Sequence, residues 1–219
     1  MITDKYVAFF RGLKKNNHKE WFHENKKVYE NDVKKPFLDL LELLIPEIKM
    51  LEPGISSNPK DALFRINRDI RFSKDKTPYN TIMKAGFSRG GKRSELPGFY
   101  LGIDQDHIHM GGGLFNLKGP ELKKVRSYIA QSTDEFVQIV NSKSFKERFG
   151  ELSGERAKRV DKAYQPLLDK TPYIANKQFY AMQQIPLTNH INSDQIPGVI
   201  MESFREVSML NNYLNEALS

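Results

Sequence analysis

The chain has 219 residues, of which 39% are hydrophobic and 28% are charged, as is typical of a soluble globular protein with one or at most two domains. It contains no cysteine, which excludes disulfides, thiolate metal sites and a cysteine nucleophile. The net charge of +7 permits a nucleic acid or another anionic partner without selecting one. No apolar run can span a bilayer and the N-terminus has no signal-peptide pattern, so we expect a cytoplasmic protein outside the membrane.

The first third of the chain is predicted to be helical. Aromatic and aliphatic residues recur at helical spacing after Thr3, a suitable N-cap, and Asn16–Asn17 indicates a turn. A longer amphipathic stretch follows from Phe22 to Ile48. Pro36 and Pro46 each remove a backbone donor within it, so we expect a kink or a break at one or both.

The middle and late chain are predicted to form a sheet and further helices. Alternating side chains indicate strands at 62–67, 82–87, 99–104, 107–114 and 177–184. The turn Gln105–Asp106 predicts a hairpin between the third and fourth of them. Helical spacing predicts helices at 120–131 and 133–140, around Phe145, and at 196–218. We therefore predict a single α+β domain over residues 1–219. One mixed or antiparallel sheet of about five strands would pack against N-terminal and C-terminal helices.

The strongest functional pattern is a basic segment from Arg65 to Arg93. Its five Arg and four Lys against two Asp carry a net charge of +7, equal to that of the whole chain. Its core, from Arg65 to Tyr79, reads RINRDIRFSKDKTPY. The guanidinium group offers a planar fork of donors that suits carboxylate and phosphate. We therefore interpret the segment as an anion-recognition element.

This core resembles the hallmark of a bacterial and fungal family called domain of unknown function 2461. The matching positions are Arg65, Arg68, Asp69, Arg71, Phe72, Asp75, Lys76 and Tyr79. Segments 16–30, 98–101 and 111–114 are similar to that family as well, so the resemblance spans nearly the whole chain. The family has no established activity. The resemblance therefore implies the extent of the fold and the location of the site, and it implies no reaction.

Our first hypothesis is a pocket for a small ligand that bears phosphate or carboxylate. The expected ligand-binding residues are Arg65, Arg68, Arg71, Lys76 and Tyr79. If a reaction is catalysed there, Asp69 or Asp75 is the nearby base, and Tyr79 or Lys76 is the acid. We predict no cofactor and no metal. His107 and His109 share a strand face near Asp104 and Asp106, but residues beside a hairpin turn are usually solvated.

Two other interpretations stay open, and the sequence indicates no oligomeric state. In one, the protein binds nucleic acid through a longer basic face, with three aromatic rings stacking on bases. That face would include Lys84, Arg89, Lys92 and Arg93, and the rings would be those of Phe87, Phe99 and Tyr100. In the other, the motif is an internal brace, in which Arg68 and Arg71 are buried and saturated by Asp69, Asp75 and backbone carbonyls.

Overall fold

The computed structural model describes residues 1–219, and it begins with four helices and a π-helical turn. The helices are α1 (Asp4–Lys15), α2 (Lys19–Glu24), α3 (Lys26–Val28) and α4 (Lys35–Leu51), with the π-helical turn Tyr29–Lys34 before α4. Pro36 lies in the first turn of α4, and α4 continues through Pro46. The predicted interruption therefore takes the form of a wider helical turn just before Pro36, whose nitrogen has no hydrogen to donate.

Four strands form one antiparallel sheet, which confirms the α+β class. In sheet order they are β1 (Met83–Phe87), β2 (Gly98–Ile103), β3 (His107–Leu114) and β4 (Phe179–Pro186). The β2–β3 hairpin turns at Gln105–Asp106, as predicted: Ile103 pairs with Ile108, and the Asp104 amide donates to the His107 carbonyl over 3.1 Å.

The prediction of a strand at 62–67 is wrong. Ala62 ends the short helix α5 (Pro59–Ala62), and the following residues make only two isolated bridges, Leu63 to Ala85 and Asn67 to Tyr79. Between these bridges lie residues 64–66 on one side and 80–84 on the other. Because the two sides differ in length by two residues, the pairing cannot continue as a regular ladder.

The remaining helices cover one face of the sheet. They are α6 (Gly119–Gln131), α7 (Thr133–Asn141), α8 (Lys143–Phe149) and α9 (Ile196–Leu218), and short 3₁₀ turns precede and follow β4. The long helix α9 packs mainly on β3, and Phe204 contacts the rings of Phe87 and Phe99, with centroids 6.2 and 5.0 Å away. None of the helices combines the length and the apolar character that a membrane crossing needs.

The opposite face of the sheet stays more open. Successive side chains of a strand point to opposite faces of the sheet. The residues on the open face are therefore adjacent in sequence to the residues that pack beneath α9. Lys84, Tyr100, His109 and Tyr180 lie here, and each is only partly buried. The segment before β1 and the basic loop border this face, which places the candidate site at its edge.

Candidate functional site

The basic loop is closed at its base by Asn17 and Tyr79. The Asn17 side chain donates to the Tyr79 carbonyl over 2.9 Å and accepts from the Tyr79 amide over 3.1 Å. The Tyr79 ring stacks on Phe22, with centroids 4.0 Å apart and planes 16° apart. Burial, and secondarily the charge of Glu20, raises the pKa of Tyr79. Tyr79 therefore anchors the loop to the N-terminal helices.

Arg68 points into the loop and bonds to side chains of the same segment. Its Nη1 donates to Asp75 Oδ2 over 2.5 Å and also to the Thr77 hydroxyl. The side chain is 24% exposed. Asp75 Oδ1 accepts from the Thr77 amide and hydroxyl, each over 2.9 Å. These bonds from Thr77 and from Arg68 lower the pKa of Asp75 to about 2. Arg68 thus has the contacts that the brace interpretation expects.

Arg71 lies at the exposed tip of the same loop. Its Nε and Nη2 donate to the Asp69 carboxylate over 3.0 and 2.7 Å, and these bonds lower the pKa of Asp69 to about 2. The Arg71 side chain is 76% exposed, and Phe72 beside it is 96% exposed. Lys76 donates to the Ile70 carbonyl over 2.9 Å. Arg71 and Lys76 therefore donate their hydrogen bonds to other groups of the same loop.

The two aspartates of the loop are poorly suited to general-base catalysis. An efficient base has a pKa near the working pH, whereas the pKa values of Asp69 and Asp75 lie at about 2. Their oxygens already accept hydrogen bonds from Arg71 and from Arg68 and Thr77. The arrangement is chemically better suited to holding a charged loop than to moving a proton.

A cavity beside the loop is lined by basic residues that the Arg–Asp pairs of the loop do not neutralise. It has a volume of about 290 Å³, and we call it the basic cavity. Its charged lining residues are Arg65, Arg68, Asp69, Lys84 and Arg93. Asp69 is the only carboxylate among them, and it is already paired with Arg71. Neither Arg65 nor Arg93 forms a salt bridge anywhere in the structure.

Lys84 brings a partly buried amine into this cavity from strand β1. Its Nζ donates to the Asn80 side-chain oxygen over 3.2 Å, and no carboxylate contacts it. Burial, and secondarily the charge of Arg68, lowers the pKa of Lys84. Protonation of Lys84 is therefore opposed by its surroundings, and an anion in the basic cavity would relieve that opposition.

Two larger cavities adjoin the basic cavity and share Phe64 and Arg93 with it. One, of about 570 Å³, extends towards Lys26 and Tyr29 on the N-terminal helices. The other, of about 470 Å³, runs over the open face of the sheet, and we call it the aromatic groove. Its characteristic lining residues are Phe64, Lys92, Arg93, Tyr100, Phe115 and Tyr180. The Phe115 and Tyr180 rings stack with their centroids 4.8 Å apart.

The glycine-rich loop between β1 and β2 forms one wall of the aromatic groove. Its Gly91 amide donates to the Ser88 carbonyl over 2.9 Å, and its Ser94 amide donates to the Gly91 carbonyl over 3.0 Å. These two amides are occupied by turns within the loop, and the loop brings the side chains of Lys92 and Arg93 to the groove.

The structure separates the residues that the sequence had grouped. Arg65 and Arg68 line the basic cavity, whereas Tyr79 and Asp75 line a neighbouring cavity of about 430 Å³ together with Arg68. Arg71 and Lys76 line neither. Phe64, Phe115 and Tyr180 were missed, because they are far apart in sequence and only the sheet brings them together. The rings of Phe87 and Phe99, expected to stack on bases, are buried beneath α9.

Three potential metal ligands meet at the β2–β3 hairpin. The ligand atoms of Asp104, His107 and His109 all lie within 4.8 Å of one another. Asp104 Oδ2 and His109 Nε2 are 2.8 Å apart, and these side chains are 20% and 25% exposed. Asp106, in contrast, is exposed. Asp106 is thus solvated as expected, whereas Asp104, His107 and His109 are partly buried.

The fold and the site together define an α+β protein with an open antiparallel sheet, whose free face adjoins a basic cavity. The chain belongs to the family of conserved hypothetical proteins DUF2461, since the family profile matches residues 5–213 of 219. The resemblance seen in the sequence is confirmed over that range. A comparison with curated proteins found no significant match.

Proposed function

We propose that this protein binds a small ligand bearing phosphate or carboxylate, with the anionic group in the basic cavity. The observation that supports the proposal is that Arg65, Lys84 and Arg93 line one cavity without a carboxylate partner of their own. Arg65 and Arg93 are exposed and Lys84 is partly buried. Cations that line one concave site repel one another, and an anion between them removes that repulsion. Arg65 and Arg93 offer the paired donors, and Lys84 supplies a point charge.

The ligand is expected to carry an apolar, flat portion beside its anionic group. Phe64 and Arg93 line both the basic cavity and the aromatic groove, so one molecule can contact both. The volume of the aromatic groove lies in the range of ordinary small-ligand sites. Tyr100 and Tyr180 would contact the ring, while Arg93 holds the charge.

The test compares two arginines that differ in position but not in charge. Binding of pyrophosphate, nucleoside monophosphates and aromatic carboxylates is measured by calorimetry with the wild type, Arg93→Ala and Arg11→Ala, which removes an exposed arginine from α1. Loss of a charge-assisted hydrogen bond of about 1.5–3 kcal/mol predicts a roughly 10- to 100-fold weaker affinity for Arg93→Ala. Arg11→Ala removes the same charge at a position that lines neither cavity and forms no salt bridge, so it should leave the affinity within about twofold.

Two outcomes would contradict the proposal. One is an equal loss of affinity in both variants, which would indicate a diffuse effect of net charge. The other is the absence of binding by the wild type to every anion tested at millimolar concentration. Melting temperatures of both variants are measured in parallel, so that a folding defect is recognised. A separate variant, Arg71→Ala, is used for stability alone, and a near-native melting temperature for it would count against Arg71 as an internal brace.

A second candidate, single-stranded nucleic acid, is favoured by one observation. Phe72 is almost fully exposed at the tip of a basic loop, and the Arg71 guanidinium lies 5.9 Å from its ring centroid. An exposed ring among cations is how proteins stack on unpaired bases. Binding of a labelled oligonucleotide should then fall with salt, with a slope of about −0.7 per phosphate contact, and Phe72→Ala should weaken it. No binding at low salt removes this candidate.

A further inference from the structure

We propose that Asp104, His107 and His109 bind a divalent transition-metal ion at the β2–β3 hairpin. This site is separate from the basic cavity and does not depend on the anionic ligand. Two imidazoles and one carboxylate are a donor set that suits zinc, nickel and cobalt. Their ligand atoms already lie within 4.8 Å of one another, with nothing else recruited from distant parts of the chain.

The hairpin itself explains why these three side chains converge. Residues 107 and 109 are two apart on β3 and therefore share a face of the sheet. Asp104 lies across the two-residue turn from His107, so its side chain reaches the same face. Gly102 pairs directly with His109 and contributes no side chain that would separate the imidazole from the carboxylate.

The Asp104 carboxylate is already held in an orientation that suits a ligand. Its Oδ1 accepts the backbone N–H groups of Asp106 and His107, each over 2.7 Å, and its Oδ2 faces His109. Oδ1 is thus fixed by two backbone amides that a metal bound at Oδ2 need not displace.

Ligand spacing requires only a small adjustment. With metal–ligand bonds of about 2.1 Å, tetrahedral ligands lie about 3.4 Å apart. The present separations, from 2.8 Å between Asp104 and His109 to at most 4.8 Å, bracket that spacing. The Tyr100 hydroxyl lies beside Gly102, 3.0 Å from the position that a Cβ would take there. It therefore lies on the same face of the sheet as His109, which pairs with Gly102. Lys84 pairs with Gly102, which pairs with His109, so Lys84 lies two strands away at about 10 Å. Its positive charge therefore repels a bound metal ion only weakly.

The test uses tag-free protein stripped with a chelator, and it measures cobalt(II) and zinc(II) directly. We expect one cobalt ion per chain, with the visible d–d absorption of a low-coordinate site, and displacement of that ion by zinc. His109→Ala should abolish this binding. His23→Ala, which removes an exposed histidine from α2, should retain it and serves as the matched control.

A second variant separates metal binding from folding. Asp104→Asn keeps an oxygen for the two backbone N–H groups but loses the anionic ligand. Zinc should raise the melting temperature of the wild type and of His23→Ala, and it should leave that of Asp104→Asn nearly unchanged. The proposal is overturned if the wild type binds no cobalt at a 1:1 ratio. It is also overturned if His109→Ala and Asp104→Asn bind as tightly as the wild type.

Discussion

The ion pair between Glu52 and Arg89 fixes the glycine-rich loop that carries Lys92 and Arg93, and we predict that Arg89→Ala destabilises the protein. Arg89 Nε donates to Glu52 Oε1 over 2.6 Å. The Glu52 side chain is only 7% exposed, whereas that of Arg89 is 54% exposed. Removal of Arg89 therefore leaves a buried carboxylate without its cation.

The expected loss of unfolding free energy in Arg89→Ala lies between two limits. An exposed ion pair contributes about 0–1 kcal/mol, and removal of one partner from a fully buried pair costs about 3–5 kcal/mol. Because Glu52 is buried and Arg89 is half exposed, we expect about 1–3 kcal/mol. Glu52 keeps weaker bonds from the Gly54 amide over 3.3 Å and from Asn215 over 3.4 Å, which argues against the upper limit.

The assay is urea denaturation followed by the fluorescence of Trp21, the only tryptophan. Arg89→Ala, Glu52→Gln and the double variant form a cycle, and the neutral amide at position 52 should recover part of the loss in Arg89→Ala. Each 1 kcal/mol corresponds to about 2–4 °C in melting temperature for a chain of this size. A loss below about 0.5 kcal/mol, or single-variant effects that simply add, would refute the reasoning.

The same substitution also tests the role of the loop. Arg89 does not line the basic cavity or the aromatic groove, although Arg93 lines both. If the ion pair positions Arg93, Arg89→Ala should weaken anion binding by several-fold in protein that is still folded. Unchanged affinity would mean that the loop holds its position without the pair.

Three further predictions concern single groups. Because burial and the charge of Arg68 lower the pKa of Lys84, anion affinity should fall as pH rises through that pKa, and Lys84→Arg should remove this step. An identical calorimetric pH profile in the variant would contradict this. The buried Tyr6 hydroxyl donates to the Ile103 carbonyl over 2.8 Å, so Tyr6→Phe should cost about 1–2 kcal/mol in urea denaturation. A loss under about 0.5 kcal/mol would contradict it. The pKa of Asp75 is lowered to about 2, so its contribution to stability is present above pH about 4 and is lost as pH falls towards 2. NMR titration of its carboxyl carbon checks this, and an ordinary pKa near 4 would contradict it.

Local periodicity was enough to predict most helices and strands. The C-terminal helix spans 196–218 as predicted, and β3 spans 107–114 as predicted. Both patterns are set by backbone geometry, which repeats every 3.6 residues in a helix and every two residues in a strand. The hairpin was predictable for the same reason, since its two-residue turn is encoded locally. The family resemblance likewise depended on residues that are close in sequence.

The tertiary structure alone decided how the basic motif is divided. Arg68 and Arg71 are three residues apart in one charged stretch, yet Arg68 turns into the loop and Arg71 faces solvent. The predicted strand at 62–67 failed for a related reason, because the segment opposite it is two residues longer between the two bridges, and alternation within 62–67 does not show this. Alternation along β2 separated Phe99 from Tyr100. It did not indicate which of them α9 would cover.

Contacts between distant segments also form the basic cavity and the aromatic groove. Arg65 and Arg93 meet at the basic cavity, and Phe64 and Tyr180 meet in the aromatic groove, across a sheet whose strands come from separate parts of the chain. The sequence directly gives the type and the charge of each residue. Whether two such residues share a cavity depends on the packing of helices and strands between them, and no local pattern specifies that packing.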